Sequence, residues 1–230
     1  MIEVVSETGS TNADLLARAQ AGASEGLWLR AERQSGGRGR LGRVWSSPTG
    51  NLYASTIVRP LAGDPLPATL ALLAGVALEE VASAYAGAGR LQLKWPNDLM
   101  ASGAKLAGIL LEAASGAIVI GIGVNLAHHP ENLERPTTSL AALGAGAPDP
   151  ASFLTDLAEA FARWLARWRG EGVAPVRARW LQRAHPIGSA LQTGEGEGLF
   201  EGLDQDGALL LRRADGSIVT VRAGDVFLSV

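Results

Sequence analysis

No cysteine occurs among the 230 residues, which excludes disulfides, thiol nucleophiles and every cysteine-containing metal site. Histidine is nearly as scarce: three are present, two of them adjacent (His128 and His129), so a multi-histidine metal centre is not expected. Lysine is rarer still, since only Lys94 and Lys105 among the 20 basic residues are lysines. Charge of either sign is balanced, with 20 basic against 23 acidic residues and a net −3, which advertises neither a nucleic acid nor a membrane partner. Met1–Ser10 carries Glu3 and Glu7 and lacks a basic or apolar leader pattern, so no signal peptide is expected and a cytoplasmic location is. One run, Leu106–Leu126, is apolar enough to imitate a membrane span by length. Glu112 lies inside it, Ser115-Gly116 interrupts it, and Ile118, Val119, Ile120 and Ile122 are β-branched. It reads as two buried strands joined by a tight turn.

What is present suits a globular chain with a sizeable core: 47% hydrophobic and 19% charged residues. The pattern predicts a first strand over Ile2–Ser6 and a helix from Thr11 to about Ala21, with Thr11 and Asp14 as a capping box and Gly22 closing it. Leu27–Ala31 reads as a strand, Gly36–Arg43 as a glycine- and arginine-rich loop, and Asn51–Val58 as a strand. Pro65–Ala86 is expected to be the longest central helix, Leu91–Lys94 a strand ending in a turn at Trp95–Asp98, and Pro130–Pro150 an irregular connection. Helices are expected over Ser152–Trp168, where Phe153, Leu157, Phe161, Trp164, Leu165 and Trp168 share one face, and over Ala174–Arg183. Trp164, Trp168 and Trp180 are expected in the core or an interface, His128-His129 in solvent, and His185 in a structural role. From Ile187 on, short alternating runs separated by glycine turns predict a small all-β module.

Two segments carry chemistry. Gly37, Gly39 and Gly42 formally satisfy a dinucleotide fingerprint, but the following Arg43-Val44-Trp45-Ser46-Ser47-Pro48 is no helix start, so that reading fails. No Gly-Lys-Ser/Thr exists for a phosphate-binding loop of the Walker type. What remains is a loop whose backbone can wrap a ligand, with guanidinium forks suited to carboxylate or phosphate, or else a solvated basic turn. The second segment holds both lysines, in Lys94-Trp95-Pro96-Asn97-Asp98 and Lys105-Leu106-Ala107-Gly108-Ile109-Leu110. A lysine is a compact mobile charge, able to follow a phosphoryl group as its charge redistributes. Lys94 as a strand-end surface charge and Asn97-Asp98 as an ordinary turn pair are the plainer alternatives. Four of the five asparagines (Asn12, Asn51, Asn97, Asn125) lie in or beside such segments.

These segments, with Ser10-Thr11-Asn12, Gly121-Ile122-Gly123-Val124-Asn125 and Gly207-Ala208-Leu209-Leu210-Leu211, occur in the order and spacing of biotin–protein ligases, and the chain resembles that family over its whole length. The resemblance implies an α+β fold, a mixed β-sheet with packed helices like the class II aminoacyl-tRNA synthetase and biotin ligase catalytic domains, over residues 1–185. A C-terminal SH3-like β-barrel over 186–230 follows. It implies ATP and biotin as substrates, with Mg²⁺: biotin is activated as biotinyl-5′-AMP and transferred to a lysine of a biotin carboxyl carrier domain, of acetyl-CoA carboxylase or a related carboxylase. Only nine residues precede Ser10, too few for the DNA-binding domain of some members, so no DNA partner is expected; a homodimer is.

By the same resemblance, Lys105, Arg40 and Asp98 are the catalytic candidates, with Asp98 handling the acceptor amine. Biotin would meet Ser10, Thr11, Asn12, Gln34, Gly37, Arg38, Gly39, Arg40, Trp45, Lys105 and Gly108. ATP would meet Arg40, Arg43, Lys94, Asn97, Lys105 and Asn125, while the metal ligands stay unassigned. Ser10 and Thr11 also suit a helix cap, Gln34 a surface amide and Trp45 a core aromatic. A lipoate or octanoate ligase, or a non-catalytic biotin-binding protein, remain the alternative functions.

Overall fold

Strands and helices alternate irregularly along the first four-fifths of the chain. In order they are β1 (Ile2–Thr8), α1 (Thr11–Gln20), β2 (Trp28–Gln34), β3 (Leu52–Val58), α2 (Leu70–Ala86), β4 (Leu91–Lys94) and β5 (Asp98–Ala101). β6 (Ala104–Ala114), β7 (Ala117–Val124), α3 (Pro150–Glu171) and α4 (Ala174–Arg183) follow. The computed structural model describes residues 1–131 and 133–228. β1 to β7 form one mixed sheet in the order β1-β2-β3-β7-β6-β5-β4. β1 and β2 are parallel because α1 is the crossover between them, and every other pairing in this sheet is antiparallel. The run over 106–126 is the β6–β7 hairpin, turning at Ser115 and Gly116, both with positive φ (50° and 72°).

Alternation of side chains sorts the sheet into two faces. Leu52, Ala54 and Val58 of β3 join Ile120, Ile122 and Val124 of β7 under α2, α3 and α4, forming the larger core. Ile57 and Val119 point the other way, under Leu15 and Ala19 of α1. α2 is apolar almost all round because it is enclosed by the sheet on one side and α3 and α4 on the other; it is a core helix by its burial. Its 17 residues are fewer than the 22 of α3, so the longest helix is α3 and not the Pro65–Ala86 segment, whose first turn is a separate 3-10 element at Pro67–Thr69. Trp164, Trp168 and Trp180 are buried, and Trp168 donates its indole N–H to Thr69 Oγ1 at 2.8 Å.

Three local expectations shift. The cap of α1 is Ser10, whose extended backbone (φ −162°, ψ 127°) puts its hydroxyl 3.5 Å from Ala13 N. Thr11 is the first helical residue, and Asp14 instead accepts a hydrogen bond from Thr8 Oγ1 at 2.6 Å, so no capping box forms. β2 runs on to Gln34, because Thr8 and Gln34 still pair in register with β1. The turn after β4 is followed by a strand, β5, beginning at Asp98 and pairing with both β4 and β6.

The C-terminal segment forms β8 (Ala190–Thr193), β9 (Gly196–Leu203), β10 (Leu209–Arg212), β11 (Ile218–Val221) and β12 (Val226–Leu228), an antiparallel sheet ordered β11-β10-β9-β8-β12. It is not a separate body: Leu191, Phe200, Leu209 and Val226 belong to the same buried cluster as α2 and α4. Trp95 donates its indole N–H to Gly207 O at 3.0 Å. Gly207 has φ +79°, which strains any residue with a side chain, and a Cβ there would lie 2.7 Å from the Leu72 side chain, which would have to shift.

Far from this junction, Arg169 near the end of α3 clamps three segments. It donates to both oxygens of Glu25 (2.7 and 2.8 Å), to Asp64 (3.2 Å) and to Arg59 O (3.0 Å). The Arg169 guanidinium holds the Glu25 carboxyl below its ordinary value of 4.5, against the opposing effect of burial. A depressed carboxyl pKa stabilises the fold above the unfolded value and loses that stabilisation as pH falls through the folded one. Arg169→Ala is therefore expected to cost about 2 kcal/mol at pH 7, a partly buried pair lying between exposed and buried cases. Urea denaturation at pH 7 and pH 3.5 checks this: the variant should also lose less stability between the two pH values than the parent.

Candidate functional site

α1 covers only part of its face of the sheet, and the strands are built for that. Gly108 of β6 sits opposite Gly123 of β7, and Gly121 lies two residues further along the same face. A Cβ on Gly121 would collide with the Asn12 amide; one on Gly123 would stand 2.6 Å from the Trp45 ring, and one on Gly108 3.1 Å from Lys105 Nζ. The missing side chains let the N-terminus of α1 and the Trp45 indole lie directly on the backbone.

At one end is a neutral polar cluster. Thr11 N donates to Gln34 Oε1 at 2.9 Å, and Thr11 Oγ1 is 3.1 Å from the same oxygen. Ser55 Oγ, from the middle of β3, lies 2.7 Å from Thr11 Oγ1 and 2.6 Å from Asn12 Oδ1. Asn12 Nδ2 donates to Glu112 Oε2 at 2.8 Å. Gln34 Nε2 donates to Ser47 Oγ at 3.2 Å, and Ser47 donates to Trp45 O at 2.9 Å. Ser10, Thr11, Asn12 and Ser55 are all buried.

At the other end is a charged cluster. Lys105 Nζ is 2.5 Å from Asp98 Oδ1 and 5.5 Å from the centre of the Trp45 ring. Arg40 donates to Asn97 Oδ1 (3.2 Å) and to Gly224 O (3.0 Å). Asn97 is itself fixed by donating to Ile109 O at 2.6 Å. Asp225, in the turn before β12, pairs with Arg43 and lies 3.4 Å from Arg135 and 3.7 Å from Arg40. The hydrogen bond from Arg43 holds the Asp225 carboxyl below the usual carboxylate range. Lys94 is pushed down, first by burial, and its ammonium lies 5.7 Å from the Phe227 ring.

Between the ends runs the 37–45 loop, a small hairpin closed by Gly39 N to Arg43 O (2.7 Å) and Trp45 N to Gly37 O (3.0 Å). Leu41 (φ 57°) and Gly42 (φ 71°) turn its tip in left-handed conformations, and Leu41 and Val44 stand exposed. Gly37 is required by crowding, since a Cβ would be 2.6 Å from both Ser47 Oγ and Trp45 O. Gln34, Gly37, Arg38, Trp45 and Ser47 line a cavity of about 410 Å³.

Of the residues singled out from sequence, Ser10, Thr11, Asn12, Gln34, Gly37, Trp45 and Gly108 lie around the polar end and the glycine floor. Arg40, Arg43, Lys94, Asn97, Asp98 and Lys105 lie at the charged end. Arg38 is exposed on the hairpin, bridging Val44 through its backbone, and Gly39 is a hairpin position. The structure does not bring the Asn125 side chain to the open face: it is buried and donates to Thr138 O at 3.0 Å, tying down the loop after β7. Ser55, Glu112, Arg135 and Asp225 were missed. Two of them left a trace: Ser55 is a polar residue in an apolar strand, and Glu112 a charge inside the apolar 106–126 run.

Comparison with known proteins bears on this geometry. The Biotin/lipoate A/B protein ligase family model matches residues 3–126 and the Biotin protein ligase C terminal domain model residues 190–229. A biotin–[acetyl-CoA-carboxylase] ligase of Paracoccus denitrificans is 41% identical, covering 97% of this chain and 99% of its own. One from Mycobacterium tuberculosis is 39% identical over 98% of this chain and 88% of its own. The biotin protein ligase of Aquifex aeolicus, solved in complex with biotin and ATP, superposes with a TM-score of 0.88 at 26% identity, covering 99% of each chain. With the first family model matching more than half of the chain, and with whole-length relatives of this similarity, the chain belongs to the biotin protein ligases of the biotin/lipoate A/B protein ligase family.

Proposed function

We propose that the chain activates biotin with ATP and transfers it to a lysine of a biotin carboxyl carrier domain, of acetyl-CoA carboxylase or a related carboxylase. The observation that carries this reading is the juxtaposition on one sheet face of a neutral polar cluster and a cationic cluster, joined by Trp45 lying on the glycine floor. A ureido head needs uncharged donors and acceptors, the Thr11, Gln34 and Ser10 end. An aliphatic tail needs an apolar surface, the Trp45 ring. A carboxylate meeting a phosphate needs positive charge at the point of contact, which Lys105 supplies with Arg40.

In the first step a biotin carboxylate oxygen attacks the α-phosphorus and pyrophosphate leaves, giving the mixed anhydride. Lys105 Nζ, swinging from Asp98, neutralises the two anions as they approach; Arg40, Arg43, Lys94 and Asn97 hold the nucleotide phosphates. In the second step the acceptor lysine amine attacks the anhydride carbonyl, AMP departs and a proton is lost, which Asp98 takes once Lys105 has turned to the phosphate. Mg²⁺ would accompany the ATP, since it keeps several waters and binds mainly through phosphates. Asn12 and Gly108 act through position, Gly37 by letting the hairpin fold, Gly39 through its backbone N–H to Arg43 O, and Arg38 from its exposed side when the hairpin closes. Asn125 contributes by anchoring the 138–140 loop behind Lys105.

We place the boundary between the catalytic and C-terminal modules at 185/186, supported by the change from helical to short-strand texture. A homodimer through the exposed β1 edge, where Ile2 and Val4 face solvent, suits the sheet. ATP dependence argues for a cytoplasmic location, and the net charge of −3 gives no support for a DNA partner.

Intact mass of a carrier domain after incubation with the protein, biotin and MgATP tests the reading, with lipoate and octanoate as competing acids. Biotin-dependent mass gain is expected; tight biotin binding with no pyrophosphate release would overturn it. Lys105→Ala should slow pyrophosphate release by about 100-fold or more, the cost of removing one preorganised charge, with a small change in melting temperature. Arg40→Gly should release the adenylate faster and biotinylate bystander lysines, measured by labelling of an unrelated protein in the same tube.

A further inference from the structure

Arg135 lies outside every collinear motif, yet it is held at the charged end from two sides. Its backbone runs beside Lys105: Lys105 N donates to Pro136 O at 2.8 Å, and Thr138 N donates to Lys105 O at 2.9 Å. Its side chain reaches the C-terminal sheet, where Asp225 Oδ2 lies 3.4 Å from Nη2 and the centre of the Phe227 ring 4.3 Å from Cζ. Val226 is buried in the common core, so strand alternation turns Asp225 and Phe227 the other way, towards the cations. Phe227 is left 39% exposed and packs no core. Lys94 Nζ also lies over its ring, 5.7 Å from the centre. A phenyl ring attracts cations through the negative charge of its face. Stacking occupies the flat side of a guanidinium and leaves its N–H groups pointing outwards in the plane. Among the described residues, Asp225 is the one hydrogen-bond partner of the Arg135 side chain, so most of those donors stay open. Arg135 and Lys94 are thus two like charges on one ring, and a polyanion lying against both relieves their repulsion.

We propose that Arg135 is a further contact for the polyphosphate of ATP, and that Phe227 is the positioning residue that holds Arg135 and Lys94 ready for it. The proposal rests on the ligase reading above. Without the ring, both long side chains regain rotamers in the free protein, and the nucleotide itself has to order them. That cost falls on ATP and not on biotin, because neither cation belongs to the neutral polar cluster around Thr11 and Gln34. Phe227 itself touches no reacting atom and acts through the two cations.

Biotin-dependent pyrophosphate release by the parent, Phe227→Leu, Phe227→Tyr and Arg135→Ala, with ATP and biotin varied in turn, tests this. Leucine keeps an apolar side chain without a π face. It should raise the KM for ATP about fivefold, the scale of one partly exposed cation–π contact, with kcat and the KM for biotin within about twofold of the parent. Tyrosine keeps the face and should hold the parent's KM for ATP. Arg135→Ala should raise that KM about tenfold, the scale of one charge-assisted hydrogen bond, and adding Phe227→Leu to it should cost less than about twofold more. The upward shift in melting temperature that MgATP gives should shrink in Phe227→Leu and Arg135→Ala, while their melting temperatures without ligand stay at the parent's. A parent-like KM for ATP in Phe227→Leu or Arg135→Ala would overturn the proposal. So would equal rises for both substrates with a fallen melting temperature, a loss in Phe227→Tyr as large as in Phe227→Leu, or full additivity in the double variant. A parent that releases no pyrophosphate in response to biotin would overturn the ligase reading instead, and the MgATP melting shifts would still decide whether Phe227 serves a nucleotide.

Discussion

The site depends on side chains that are not there. A strand in a covered sheet normally sends every second residue into the layer above it, and β6 and β7 do so where α1 lies over Val119. One step along, the same face has glycine at three positions, Gly121, Gly123 and Gly108. The helix N-terminus and the Trp45 ring therefore drop to backbone level, and the face changes from a packed core to a trough without any break in the ladder. The hairpin that delivers Trp45 and the cluster that fixes Asn12 both take their height from those three positions.

The charged end is assembled differently, by convergence of distant segments. Arg40 and Arg43 arrive on the hairpin, Asn97 and Asp98 on the β4–β5 connection, Lys105 on β6, Arg135 on the loop after β7, and Asp225 from the C-terminal sheet. Bulk charge says nothing of this, because the cations are distributed through a chain whose net charge is −3. The two carboxylates present, on Asp98 and Asp225, each face cations, so the cluster stands as a compensated set in place of a bare positive patch.

The regular elements were legible wherever one face was periodic: α3 and α4 from their apolar stripes, the β6–β7 hairpin from β-branching and the Ser115-Gly116 turn. β5 was not, because a four-residue strand directly after a proline turn carries no pattern of its own; β6 recruits it through pairing. The Thr11–Asp14 box failed for a similar reason. Asp14 has the right spacing from Thr11, but Thr8 in β1 captures its carboxylate. In the site, residues within the collinear motifs could be named, whereas Ser55 and Glu112 become part of it only through strand register and the helix lying above them. Glu112 was visible as a charge in an apolar run and was read only as evidence against a membrane span. Asp225 sits in a short glycine turn of a module with several such turns, and nothing local distinguishes it. Asn125 shows the converse: it lies inside a motif, and its amide is consumed by the loop at Thr138.

The Asp225 carboxylate also alters what it means for an anion to reach this end of the trough. Arg43 and Arg135 already share one negative group, and Arg40 lies near it, so these guanidiniums hold a counter-charge before any ligand appears. An incoming phosphate meets an ion-exchange site: it gains by carrying more charge and more oxygens than the single carboxylate it competes with, and a monoanion gains almost nothing. Since that resident carboxylate belongs to the C-terminal sheet, the exchange also changes how firmly that sheet's last turn is tied to the hairpin.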